Sequence, residues 1–224
     1  MKAQTRTLLS LCLAVVLVLS AVLGTIAYMT AHDSVTNTFT VGSFNKPTKD
    51  PDGGDLPSDV TYIYEKNWRA NTDGHKLVPD SPTIKDPKVG IGKGSEAAYV
   101  YVYIQNKLVA TDEDAVYFTL NSGWSPVGTK GTDYKTVNVG GNEYYTGGLF
   151  KYNTILEPTT DADVWTTSAI FDTVTTNADV NTTDLTNLDM VVNAYIHQAK
   201  DNGTDIPAGT IDGAARAWVD TLGA

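Results

Sequence analysis

The sequence predicts an all-β protein, an antiparallel β-sandwich carried behind an export signal. Three observations lead there. Short segments with apolar residues at every second position recur between residues 34 and 198. Gly- and Pro-bearing turns separate them, with no amphipathic helix between them. Composition leans the same way, with 12 Tyr, 19 Gly and 42% hydrophobic residues in 224, enough chain for one domain with a real core.

Residues 1–27 read as the signal segment. Lys2 and Arg6 form its positive start, Leu8–Leu23 its apolar middle, and Thr25-Ile26-Ala27 a small-x-small cleavage site ahead of Tyr28. The uncharged run from Leu8 to Ala27 is also long enough for an uncleaved membrane anchor, which is the rival reading. Both place the rest of the chain outside the membrane, secreted or at the cell surface. Cys12, the single cysteine, lies inside this run, so no disulfide framework is expected. The formal net charge is −10, and removing residues 1–27 with their two cations and no acids leaves 14 − 26 = −12. Such an acidic chain argues against nucleic acid or an anionic membrane as main partner.

The mature part opens with an arm, 28–44. Within it SVTNTFTVG, residues 34–42, puts Val35, Asn37, Phe39 and Val41 on one face and threonines on the other, the period of a half-buried strand. NKPTKDPDGGDLPSD, residues 45–59, is rich in Pro, Gly and Asp and reads as a flexible acidic linker. The β-sandwich domain is then 60–224. Strands are expected at 60–66, near 82–91, and at 97–108, 115–121, 134–139, 142–152, 168–176 and 188–198. In 97–108 Val100, Val102 and Ile104 face a core. Tyr99, Tyr101 and Tyr103 make an opposite face that calls for its own cover. Residues 207–222 carry Ile211, Ala214, Ala215, Trp218 and Leu222 at helical spacing, which predicts one short C-terminal helix with Thr210 at its start.

No constellation of catalytic or metal-ligating residues emerges. His32, His75 and His197 stand far apart and outside any H-E-x-x-H pattern. Asp50, Asp52 and Asp55 in DPDGGD are spaced too closely for an EF-hand loop and lack its closing Glu. Gly90, Gly92 and Gly94 in VGIGKGSE miss the phosphate-loop spacing and read as a hairpin-type turn. There is no G-x-S-x-G elbow. The expectation is a non-enzymatic protein without cofactor or metal.

Three stretches carry a family likeness. GTIAYMTAHDSVTNTFTVGSF, with Gly24, Thr25, Ala27, Tyr28, Thr38, Phe39 and Gly42, resembles the N-terminal signature of the TasA/camelysin (CalY) family, secreted Gram-positive proteins processed by a SipW-type signal peptidase. The segment from Lys66 to Ile104, with Leu77-Val78-Pro79, Lys85-Asp86-Pro87 and Gly94-Ser95-Glu96, resembles relatives known only by a SipW-dependent-type signal. So does the segment from Val191 to Leu222, with Ala194-Tyr195-Ile196-His197-Gln198-Ala199 and Ala217-Trp218. Together the stretches cover about half the chain. Asp80 departs from the pattern, where Gly commonly follows Leu-x-Pro, and 45–59 is unusually acidic.

The resemblance implies a fold class of all-β, antiparallel jelly-roll-like β-sandwich with an N-terminal signal segment, a strand-like arm and a short C-terminal helix. It also implies a biofilm-matrix fibre subunit whose N-terminal segment adds as a strand to the next copy's sheet. Self, in a head-to-tail filament, is then the partner, and Val35, Asn37, Phe39 and Val41 are the donation interface. Rival readings are an arm folded into its own body, a monomeric surface binding module or adhesin, and a camelysin-like metallopeptidase.

Overall fold

The structure, a computed structural model, describes residues 30–33, 37–40, 44–70, 80–107, 116–177, 189–201 and 203–223. The signal segment with Thr25 and Ala27, and likewise Tyr28, Val35, Val41 and His75, lie outside the described residues. In chain order the elements are β1 (Thr30–Asp33), β2 (Asn37–Thr40), β3 (Ile63–Tyr64), α1 (Lys66–Ala70), β4 (Pro82–Ile84), β5 (Lys88–Ile91) and β6 (Ala98–Lys107). There follow β7 (Val116–Tyr117), β8 (Trp124–Pro126), β9 (Tyr134–Val139), β10 (Asn142–Tyr152), β11 (Val164–Trp165), β12 (Thr173–Thr176) and β13 (Asp189–Gln198). A two-stranded ribbon, β14 (Lys200–Asp201) with β15 (Thr204–Asp205), leads into α2 (Ala208–Thr221).

The protein is all-β, with two short helices among the described residues, and its sheets pack as a sandwich. One layer is a seven-stranded sheet ordered β1-β2-β13-β6-β10-β8, with β9 also paired to β10. Two three-stranded sheets, β11-β5-β3 and β4-β12-β7, face it. Between the named strands the described pairings are antiparallel except one: β2 runs parallel to β13.

Alternation along the central strands sends side chains to two cores. Val100, Val102 and Ile104 of β6, Phe150 and Tyr152 of β10, and Ala194 and Ile196 of β13 join Val89, Ile91, Phe171 and Val174 between the layers. The intervening Tyr101, Leu149 and Tyr195 turn to the opposite face and meet Ile211, Ala215 and Trp218 of α2. The cover that the tyrosine face requires is therefore the C-terminal helix. Tyr195 stacks on Trp218 with ring centroids 5.2 Å apart. Fully burying side chains of this size contributes about 1.5–3 kcal/mol each, before ordering costs.

Several expectations are corrected. The strand near 82–91 is two strands in different sheets, because Lys85, Asp86 and Pro87 interrupt it. Lys85 turns in to bond Glu65, while the Asp86 carboxylate accepts the Asn67 and Trp68 amides and fixes α1. The turn after β5 is not a hairpin: it carries the chain from the small sheet to the large one, with Gly94 at φ +71°. Thr210 does not cap α2; Pro207 precedes the helix, and Thr210 lies inside its first turn. Gly140 and Gly141, both at positive φ, close the β9–β10 hairpin as its sequence demands.

Candidate functional site: the arm, its strap and the sheet edge

β13 pairs along its whole length with β6, from Asp189 opposite Lys107 to Gln198 opposite Ala98. Its other side is a sheet edge, with backbone donors and acceptors that need partners. Part of that edge is taken by the N-terminal arm of the same chain. Asn37 stands opposite Ala194, Thr38 opposite Tyr195, and Phe39 opposite Ile196, in parallel. β1 closes the arm into a hairpin, Ala31 opposite Phe39 and Asp33 opposite Asn37. Of the four residues predicted for the donation interface, Asn37 and Phe39 lie on β2. The arm carries a strand, β1, that alternation did not reveal.

Residues 45–59, predicted as a flexible linker, lie as a strap along the body. Phe44 packs on the inter-layer core, and its carbonyl accepts the Tyr62 hydroxyl at 3.1 Å. Asn45 is tied at three points: its amide donates to Ser95 Oγ at 2.8 Å, its side chain donates to the Lys93 carbonyl at 2.8 Å, and its own carbonyl accepts the Gly92 amide at 2.7 Å. Gly92 is required there. A Cβ at that position would sit 2.3 Å from the Lys46 carbonyl oxygen.

Asp163, just before β11, is the strap's main anchor. Its Oδ2 accepts the Thr48 amide at 2.6 Å, the Thr48 hydroxyl at 3.1 Å and the Lys49 amide at 2.9 Å, while Oδ1 accepts the Lys93 amide at 2.8 Å. Partial burial pushes the Asp163 carboxyl up, yet the hydrogen bonds from Lys93, Lys49 and Thr48 outweigh it and hold the group below the usual carboxylate value. The Trp165 indole N–H donates to the Lys49 carbonyl at 3.0 Å.

Beyond this anchor DPDGGD forms a tight turn, in which Asp50 Oδ1 accepts the Asp52 and Gly54 amides at 2.9 and 2.7 Å. The strap's acids also meet cations: Asp55 with Lys49, Asp52 with Lys66, and Asp59 with Arg69 at 2.8 Å. These exposed pairs add little individually.

Sequence reasoning missed Asp163, Asn45 and Trp165, none of which belongs to a motif. His197 sits near the end of β13, its Nδ1 2.8 Å from the Gln198 carbonyl, as expected of a strand-end histidine. Among the described residues no group of three or more His, Cys, Asp or Glu side chains is placed to hold a metal ion. Among them, too, no helix is long and apolar enough to cross a membrane. No family model, curated protein or solved structure matches the chain.

Proposed function

We propose that the chain is a secreted, non-enzymatic subunit of extracellular fibres, similar to the TasA/camelysin family. In this reading a SipW-type peptidase removes residues 1–27, and the arm passes from its own sheet edge to that of the next copy. The supporting observation is the parallel addition of β2 to β13. A four-residue strand, reached through a hairpin at the chain's start, completes an edge that an identical arm from a neighbour fits equally well. Such donation does not close on itself and builds an open filament.

Energetics shape the expected behaviour. The docked arm competes from within its own chain, at an effective concentration in the millimolar range, so exchange to a neighbour needs high protein concentration or a growing end. The core clusters are built from residues 62–218, with both faces of the large sheet covered, so the body is expected to survive the arm's departure.

The test compares a chain beginning at Tyr28 with one beginning at Phe44, which lacks the arm but keeps the strap. Electron microscopy should show filaments for the first and none for the second, both remaining folded by circular dichroism. Identical behaviour of the two removes the proposal. The docking of β2 on its own body favours a second reading, a monomeric cell-surface binding module. A Tyr28 chain that stays monomeric at millimolar concentration and binds a glycan or host protein establishes that alternative.

A further inference from the structure

The strap does more than anchor the arm. Where residues 48–53 cross in front of 161–167, the two walls enclose an open groove of about 620 Å³, within the range of small-molecule sites at about 300–1,000 Å³. Trp165 lines it. The indole is fixed twice, by its N–H bond to the Lys49 carbonyl and by its seat on Gly90, where a Cβ would lie 2.4 Å from the ring. An aromatic ring held in this way offers an apolar surface at little entropic cost.

The polar lining is balanced. Lys49, Lys88 and Lys93 line it together with Asp50, Asp161 and Asp163, but Lys49 is paired with Asp55, Asp163 is taken up by the strap and Lys93 amides, and Asp50 Oδ1 by its own turn. Three cations against three anions leave the groove formally neutral on a chain of net charge −10. Lys88 spends one donor on the Thr167 carbonyl at 3.2 Å and keeps two, and Lys93 and Asp161 are exposed. Lys88, Lys93 and Asp161 therefore leave donors and an acceptor beside an indole, in a lining without the net cation excess that selects a phosphate or a uronate.

We propose that this groove binds a neutral oligosaccharide. A sugar ring lays its C–H face on Trp165, and its hydroxyls, each both donor and acceptor, accept from the Lys88 and Lys93 ammonium groups and donate to the Asp161 carboxylate. The strap forms one wall, so bound sugar stabilises the docked strap by linkage. The site is independent of whether the chain polymerises.

The experiment titrates the full chain with cellohexaose, chitohexaose and mannohexaose, and with hexagalacturonate as the anionic counterpart. Calorimetry measures affinity. NMR follows the Trp165 indole N–H, identified as the resonance lost in Trp165→Phe. At least one neutral hexasaccharide should bind and shift that resonance. Lys93→Ala and Asp161→Asn should each weaken binding about fivefold with an unchanged melting temperature, and Trp165→Ala about tenfold. Because Trp165→Ala also removes a strap contact, the two exposed variants decide. Binding of the uronate alone, no binding by any neutral sugar, or binding unaffected by both variants overturns the proposal.

Discussion

Phe39 stands opposite Ile196 in a parallel ladder, and Ile196 is fully buried on the inner side of the large sheet. A strand from the start of the chain and one from near its end therefore run in the same direction side by side. Their register sets the backbone ladder that joins arm to body, and an aspartate, disfavoured in strands, would weaken its rung at position 39.

Phe39→Asp should consequently lift the arm from β13. Amide exchange at Ala194–Ile196 should accelerate, and filaments should be absent by electron microscopy. The body should stay folded, its melting temperature falling by a few degrees, since a domain of this size loses about 2–4 °C per kcal/mol. Global unfolding by this one substitution would make the arm an integral strand and end the case for donation.

The Asp163 carboxylate gathers three strap bonds and one from the Lys93 amide, and an amide side chain can accept with only one atom. Asp163→Asn should therefore free the strap, at a cost of about 1 kcal/mol once solvent access is allowed for. The folded-state pKa lies below the unfolded one, so the stabilisation is present above about pH 4 and is lost as pH falls through the folded value. Protection of the Thr48 and Lys49 amides, taken relative to the intrinsic exchange rate at each pH, should fall in acid in the parent. In the variant it should be low in acid and at neutral pH alike. A variant with unchanged protection would show that Asn45 alone holds the strap.

What was legible in the sequence was local. The period-2 run Val100, Val102, Ile104 announces β6 because one strand carries the whole pattern, and Ile211, Ala215 and Trp218 announce α2 for the same reason. Gly140-Gly141 marks its hairpin because only that backbone needs two positive φ values. The strap was illegible because its anchor, Asp163, lies 115 residues from Thr48, and nothing around an isolated aspartate advertises three amides arriving from elsewhere. β11, two residues long, has no period to read, and α1 depends on a carboxylate 18 residues from Trp68. Alternation in the arm shows which residues share a face. It is silent on which strand that face adjoins, so the parallel partner β13 lay beyond it.

Lys85 and Glu65 form a largely buried ion pair, with Lys85 Nζ 2.8 and 2.9 Å from the two carboxylate oxygens and 4.7 Å from the centre of the Trp68 ring. Their side chains are only 10% and 14% exposed. Removing one partner strands the other charge, so Glu65→Leu and Lys85→Met should each cost about 3–5 kcal/mol. The double variant should recover most of that loss, because two apolar side chains need no compensation. Urea denaturation of all four proteins measures the coupling; strictly additive single losses would show that solvent already screens the pair.

Tyr101 donates to Asp212 Oδ1 at 2.7 Å, and Lys151 Nζ approaches Oδ2 at 3.0 Å, so a strand tyrosine and a strand lysine together hold the first turns of α2. Burial first, then the hydrogen bond to Asp212, push the Tyr101 hydroxyl well above its ordinary pKa. A phenol whose folded pKa is raised contributes stability that is complete below the unfolded value, about pH 10. That contribution is lost as pH climbs towards the folded value, because the unfolded chain releases the proton first. Tyr101→Phe should cost about 1 kcal/mol at pH 7, with Lys151 still satisfying Asp212. Its melting temperature should then decline less steeply than the parent's above pH 10, so that the two curves converge. Tyr117 and Tyr145, also raised by burial, keep part of the alkaline slope in the variant. Parallel curves across that range would mean that Tyr101 ionises as readily in the folded protein as in the unfolded one, and that its hydroxyl is not what ties α2 to the sheet.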